Sequence, residues 1–231
     1  MIPDIEVVRH PRARRMRLSV DPASGAVRLT LPPRASKRDG LAWAAEKVAW
    51  IEAQRARLPR AVPFVPGAVI PFGDEALTLD WRQGAARTPS RDGDRLVVGG
   101  PLEGFPGRTE RWLKREALAL LTAETMAIAA RAGVAVERVG IGDPRARWGS
   151  CSSDGTIRYS WRLILAPAHV RRFVVAHEVA HRRHMNHGAA FHALEAELLG
   201  TDPRPAMAWL RRHGAGLHWL GKSSSGSAGG G

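Results

Sequence analysis

Apolar and polar residues alternate along Arg17-Leu18-Ser19-Val20 and again along Ala26-Val27-Arg28-Leu29-Thr30-Leu31, with the turn formers Asp21-Pro22-Ala23-Ser24-Gly25 between them. This period-two pattern predicts two strands around a turn within residues 5–31, and Pro32-Pro33 closes the unit. The period then changes. Leu41, Ala44, Ala45, Val48 and Ile51 recur at helical spacing behind Ser36, a good N-cap, which predicts one helix to about residue 57. Pro59, Pro63 and Pro66 break it. Short stretches at 68–72, 76–81 and 95–98 predict further strands, with Gly73-Asp74 and Asp92-Gly93 as turns.

Residues 99–107, rich in Gly and Pro, form the best internal boundary. Beyond them Leu113, Ala117, Leu120, Leu121, Glu124 and Ile128 track one face of a long helix from residue 109 to about 132, which Gly133 stops. Residues 134–141 read as a strand, and 156–165 have strong strand character. Pro167 opens a helix through an apolar run. A further helix covers 188–199, and a last one starts at Asp202-Pro203 and reaches about residue 213. The Gly- and Ser-rich residues 221–231 read as a flexible tail. The expected organisation is therefore a β-rich region with one helix over 1–100, a second domain over 108–220, and the tail.

Composition narrows the class. With 44% hydrophobic residues the chain is globular, and no apolar run reaches membrane-spanning length. The start, Met1-Ile2-Pro3-Asp4-Ile5-Glu6, lacks the apolar stretch of a secretory signal. Cys151 is the only cysteine, which excludes an internal disulfide and a four-cysteine zinc site and fits a reducing, cytoplasmic setting. The net charge of +13 would attract nucleic acid, nucleotides or another polyanion. The basic residues are scattered, however, apart from the cluster Arg9, Arg12, Arg14, Arg15 and Arg17. A surplus of Arg beside abundant Ala, Gly and Pro also reads as codon bias, so charge alone does not make this a nucleic-acid protein.

The chemistry lies in His177-Glu178-Val179-Ala180-His181 and the residues after it. Residues four apart share a helix face, so within the expected helix His177 and His181 can grip one ion side by side, with Glu178 placed to act on a water bound to it. In a chain with nine histidines the five-residue motif alone gives roughly 0.02 chance matches. Requiring a further histidine at the offset of His187 lowers this to about 0.001.

His184 and His187 compete for the third position. His184 shares the stripe of His177 and His181, but three ligands along one straight helix span too far to surround an ion. His187 follows Asn186, which tolerates the left-handed conformation that ends helices, and precedes Gly188, so a chain reversal can bring it back. His187 is therefore preferred, with His184 at the helix end. Glu195 and Glu197 on the next helix are the carboxylate alternatives. His192 reads as a packed or exposed histidine. Three imidazoles leave zinc an open position for water, and Glu178 is the natural general base. Tyr159, Arg145 and Arg147 are candidate donors to a developing oxyanion.

Arg147-Trp148-Gly149-Ser150-Cys151, the stretch 157–165, Pro167, Phe173-Val174-Val175-Ala176 leading into the motif, and Asn186-His187-Gly188-Ala189-Ala190-Phe191 together resemble the YgjP-like metallopeptidase domain, related to SprT-like and WLM-type zincins. The likeness extends more weakly to the N-terminal basic hairpin and to Lys47 and Trp50-Ile51. Ser160 stands where the family pattern has Asn, and His192 where it has Trp. The resemblance implies an α+β fold: a β-rich N-terminal region, then a zincin-like core of a long helix, a small sheet, the motif helix and closing helices. It implies one zinc ion per chain held by His177, His181 and His187, with Glu178 as catalytic base and a peptide or protein as substrate.

Three functions compete. A zinc-dependent peptidase, probed for an extended groove with a free strand edge beside the metal, leads. A metal-dependent nucleotide phosphohydrolase would gather several Arg or Lys around the open position. A nucleic-acid-associated binding protein with a structural zinc would carry a continuous basic stripe away from the metal.

Overall fold

A computed structural model describes residues 4–223. The flexible tail expected at 221–231 falls almost entirely outside the described residues. The chain divides into two compact units between Arg60 and Ala61.

In the first unit, strands β1 (Ile5–Arg9), β2 (Arg17–Val20) and β3 (Val27–Leu31) form one sheet with β3 in the middle, parallel to β1 and antiparallel to β2. The pattern within 5–31 predicts two strands; the third arises because β1 pairs with the far side of β3, from Ile5 opposite Val27 to Arg9 opposite Leu31. Such a parallel pairing has no hairpin turn to announce it. Leu29, Leu31 and Ala44 form a small core. The helix expected from Ser36 is two helices, α1 (Lys37–Ala45) and α2 (Val48–Ala56). Ser36 does cap α1, its Oγ accepting from the Asp39 amide at 3.2 Å. The break comes at Lys47, whose amide bonds Ala44 O, three residues back rather than four. That tightened turn re-aims α2 so that Ile51 is buried.

The second unit opens with a four-stranded sheet of β4 (Val69–Phe72), β5 (Glu75–Trp81), β6 (Ser90–Asp92) and β7 (Arg95–Val98), ordered β4-β5-β7-β6. The Gly- and Pro-rich stretch 99–107 lies inside this unit, where it joins β7 to α3 (Phe105–Ala132). Gly133, at φ 61°, ends α3 in the left-handed conformation open to glycine. The long helix packs Leu113, Ala117, Leu121 and Ile128 into the main core. Next comes a second small sheet of β8 (Arg138–Gly142), β9 (Gly149–Cys151) and β10 (Thr156–Ser160), with β10 between the other two.

The strand expected over 156–165 stops at Ser160. There the Ser160 Oγ accepts from the Arg162 amide at 3.4 Å and the chain enters a 3-10 turn, Trp161–Leu165. An apolar run buried on every side has no periodicity to separate strand from helix, which is why the pattern misreads it. Three helices close the unit: α4 (Ala168–Ala180), α5 (Ala189–Leu199) and α6 (Arg204–Leu217). The whole is α+β, a β-rich N-terminal part leading to a helical zincin-like core. No helix among the described residues is long and apolar enough to cross a membrane.

Candidate metal centre

Helix α4 is buried on almost all sides. Val170, Phe173, Val174, Val175, Ala176, Val179 and Ala180 are buried, and α4 packs on both α3 and α5. The motif was expected well inside the helix; instead α4 ends at Ala180 and His181 is its C-cap. The reason is geometric: only a chain that turns here can bring His187 back. The turn uses three-residue bonds, from the Arg182 amide to Val179 O and from the Arg183 amide to Ala180 O. Asn186 does not supply a left-handed residue, since no described residue other than glycine has positive φ. Gly188 is extended and caps α5.

The reversal gathers three rings. The Nε2 atoms of His177 and His187 lie 3.2 Å apart, and one nitrogen from each of His177, His181 and His187 falls within 4.8 Å of the others. Two of the rings are held from behind. His177 Nδ1 lies 2.7 Å from Oε1 of buried Glu195, on α5. Burial pushes the Glu195 carboxyl up, but hydrogen bonds from His177 and His192 outweigh it and hold it below the usual carboxylate range. Glu195 therefore accepts from His177 Nδ1, which turns Nε2 of the ring towards the cluster. His181 Nδ1 lies 3.0 Å from the His184 carbonyl oxygen, which can only accept, so its Nε2 is likewise free. Burial lowers the His181 pKa despite that bond, which favours the neutral ring. The buried ring of Phe191 sits 5.0, 4.6 and 4.7 Å from the rings of His177, His181 and His187 and acts as their common floor.

Three imidazoles, two of them with their outer nitrogens fixed by a carboxylate and a carbonyl, form a donor set suited to a divalent transition metal. His184 joins through its backbone only. Glu195 supports a histidine rather than joining the nitrogen cluster, and exposed His192 bonds the other Glu195 oxygen at 3.3 Å.

Glu178 is buried, at 5% exposure, next to this cluster. Burial raises its pKa to about 7, against the lowering effect of His177 and Arg147. Strand β9 passes directly over it: a Cβ on Gly149 would sit 2.7 Å from Glu178 Cδ, so only glycine fits there. A cavity of about 210 Å³ beside Glu178 and His177 is walled by Trp148, Phe173, Val174 and Leu210, with Arg147 among its lining residues.

The other expected donors fare differently. Arg147 lies within the field of Glu178. Tyr159 is buried in the core, its hydroxyl bonded to Thr125 of α3 at 3.0 Å and its pKa raised by burial. Arg145 is exposed, and no hydrogen bond ties it to the site among the described residues.

Strand β9 is an edge of its sheet. Hydrogen bonds from Ser160 N to Trp148 O and from Ser152 N to Thr156 O set the ladder's phase. In that phase the amides and carbonyls of Gly149 and Cys151 point away from β10, along the free edge beside Glu178. The spacing of residues signals neither this edge nor the roles of Gly149, Phe191 and Glu195; only an expected strand ahead of the motif helix pointed towards them.

Searches of curated proteins and of solved structures returned no match. A family model of the YgjP-like metallopeptidase domain matches residues 14–213, from the first sheet through the histidine cluster into α6, and the chain belongs to that family.

Proposed function

We propose that the protein is a zinc-dependent peptidase in which His177, His181 and His187 hold the ion and Glu178 is the general base. The observation that carries this reading is the histidine cluster, with two of its rings fixed through Nδ1, beside a buried carboxylate and under a free strand edge. Zinc, when bound, supplies Lewis acidity and lowers the pKa of water to about 7. Glu178, with its own pKa near 7, is suited to take a proton from the attacking water and pass it to the leaving amine. The apolar walls of its cavity keep that carboxylate poorly solvated. The free backbone groups of Gly149 and Cys151 can align an extended peptide as an added strand. Arg147, whose charge acts on Glu178, is the candidate cation for a developing oxyanion; Tyr159 is committed to Thr125.

The test is Glu178→Gln in zinc-loaded protein, assayed on peptide and nucleotide libraries with metal content measured in parallel. The variant should keep its zinc and lose about 10²- to 10⁴-fold in peptide turnover. Full activity in the variant sinks the assigned base, and nucleotide turnover without peptide cleavage sinks the peptidase reading.

A further inference from the structure

The two faces of β9 differ in a way that bears on which peptide the cleft accepts. Gly149, opposite Tyr159, faces Glu178 and the apolar cavity. Ser150, opposite Arg158, belongs to the other face, since successive residues of a strand point to opposite sides. On that face lies a second cavity, of about 400 Å³, lined by Asp143, Arg147, Ser150 and Arg158 with Gly142 and Pro144. Arg147 lines both cavities.

The charges in the second cavity do not cancel one another. Asp143 is already taken: both its oxygens accept from Arg162, at 2.7 and 3.0 Å. The side chain of Arg158 is exposed and makes no ion pair or hydrogen bond among the described residues. Its side chain lies across two glycines of β8: a Cβ on Gly140 would sit 3.8 Å from Arg158 Cγ, and one on Gly142 would sit 4.0 Å from Arg158 Nη2. The cavity thus presents Arg158, whose side chain has no carboxylate partner, and Arg147, whose charge is shared with Glu178, around a space large enough for a side chain.

We propose that this cavity is a subsite for a carboxylate side chain, Asp or Glu, of the substrate, next in sequence to an apolar residue held in the cavity beside Glu178. The inference rests on the peptidase reading and gives it a substrate class. A peptide added along the free edge of β9 sends alternate side chains to the two faces. One residue enters the pocket of Trp148, Phe173, Val174 and Leu210. Its neighbour is sent to the other face of β9, over Ser150, where Arg147 and the exposed Arg158, once swung back from β8, can donate to a planar carboxylate. A nucleic-acid strand fits less well. It needs a groove of several cations that tracks a backbone, and this cavity offers only two arginines among the described residues.

The experiment uses acetylated, amidated peptides, so that no terminal carboxylate is present. They carry Leu followed or preceded by Glu, Gln or Lys and are otherwise identical. The zinc-loaded full chain should favour Glu over Gln by about tenfold in kcat/KM and disfavour Lys, with the preference shrinking at high salt. Fluorescence anisotropy with Glu178→Gln protein should give the same order in Kd without turnover. Arg158→Gln should bring the Glu-to-Gln ratio to about one, and Arg158→Glu should reverse it in favour of Lys. Arg158 is exposed, so both variants should fold, which circular dichroism checks. Equal cleavage and binding of all three peptides overturns the subsite while leaving the peptidase reading standing. Preferred binding of the Glu peptide with no cleavage of any peptide does the reverse. Displacement of the Glu peptide by a single-stranded oligonucleotide at matched concentration overturns the assignment to a peptide carboxylate.

Discussion

Glu195 reaches His177 from a residue eighteen positions further along the chain, and the 2.7 Å contact decides which nitrogen of His177 faces the cluster. Truncation to Glu195→Ala removes the acceptor and lets the ring rotate or change tautomer. Zinc affinity should then fall by about 10- to 100-fold, read by competition with a chromogenic chelator. Glu195→Gln keeps a carbonyl acceptor and should lose less. Unchanged affinity in the alanine variant would show that the ring is held by other means, with Phe191 the first candidate. The three histidines were legible in the chain because local rules govern them: two share a helix face, and the third needs only a reversal. Glu195 was visible as a residue but not as a role, since one spacing on α5 serves a ligand and a supporting acceptor equally well. The fate of Tyr159 was not legible at all, because it depends on Thr125, which a distant helix brings to it.

Among the elements, α3 and α4 are pinned by a buried ion pair. Arg171 donates from Nε to Glu124 Oε2 at 2.9 Å and from Nη2 to Oε1 at 2.8 Å, with both side chains mostly shielded from water. The sequence carried a trace of this, since Glu124 falls on the same helical face as Leu113, Ala117 and Ile128. A carboxylate on an apolar stripe calls for a partner, but which arginine supplies it is a tertiary fact. Glu124→Ala strands the Arg171 charge and should cost about 3–5 kcal/mol in urea unfolding. A double variant, Glu124→Leu with Arg171→Met, should recover most of that loss, because two apolar residues leave no buried charge unpaired. Equal losses in the single and double variants would mean that the site resists for reasons of shape rather than charge. The misread elements share a similar cause. Residues 161–165 read as strand because burial on every side erases periodicity, and α1 and α2 read as one helix because the break at Lys47 involves neither Gly nor Pro.

Across the second unit as a whole, Arg162 ties together segments far apart in the chain. It pairs with Asp143 after β8, donates from Nη1 to the carbonyls of Leu217 and Leu220 at 2.6 and 3.0 Å, and is itself carried by the 3-10 turn. His218 also faces Asp143, 3.7 Å away. Burial pushes the Asp143 carboxyl up, but the hydrogen bonds and charge of Arg162, with the charge of His218, outweigh it and hold the pKa below its ordinary value of 3.8. A carboxyl depressed by folding adds stability that is present above its unfolded pKa and is lost as the pH falls through its folded one. The urea midpoint of the native chain should therefore drop as the pH is lowered below about 4, with the +13 net charge adding self-repulsion. Asp143→Asn should begin less stable at neutral pH and decline less steeply through the same window. Other carboxylates titrate in both proteins, so the gap between the two curves isolates Asp143. The gap should narrow in acid; a gap that stays constant from about pH 7 to about pH 3 would remove Asp143 from the acid response of the molecule.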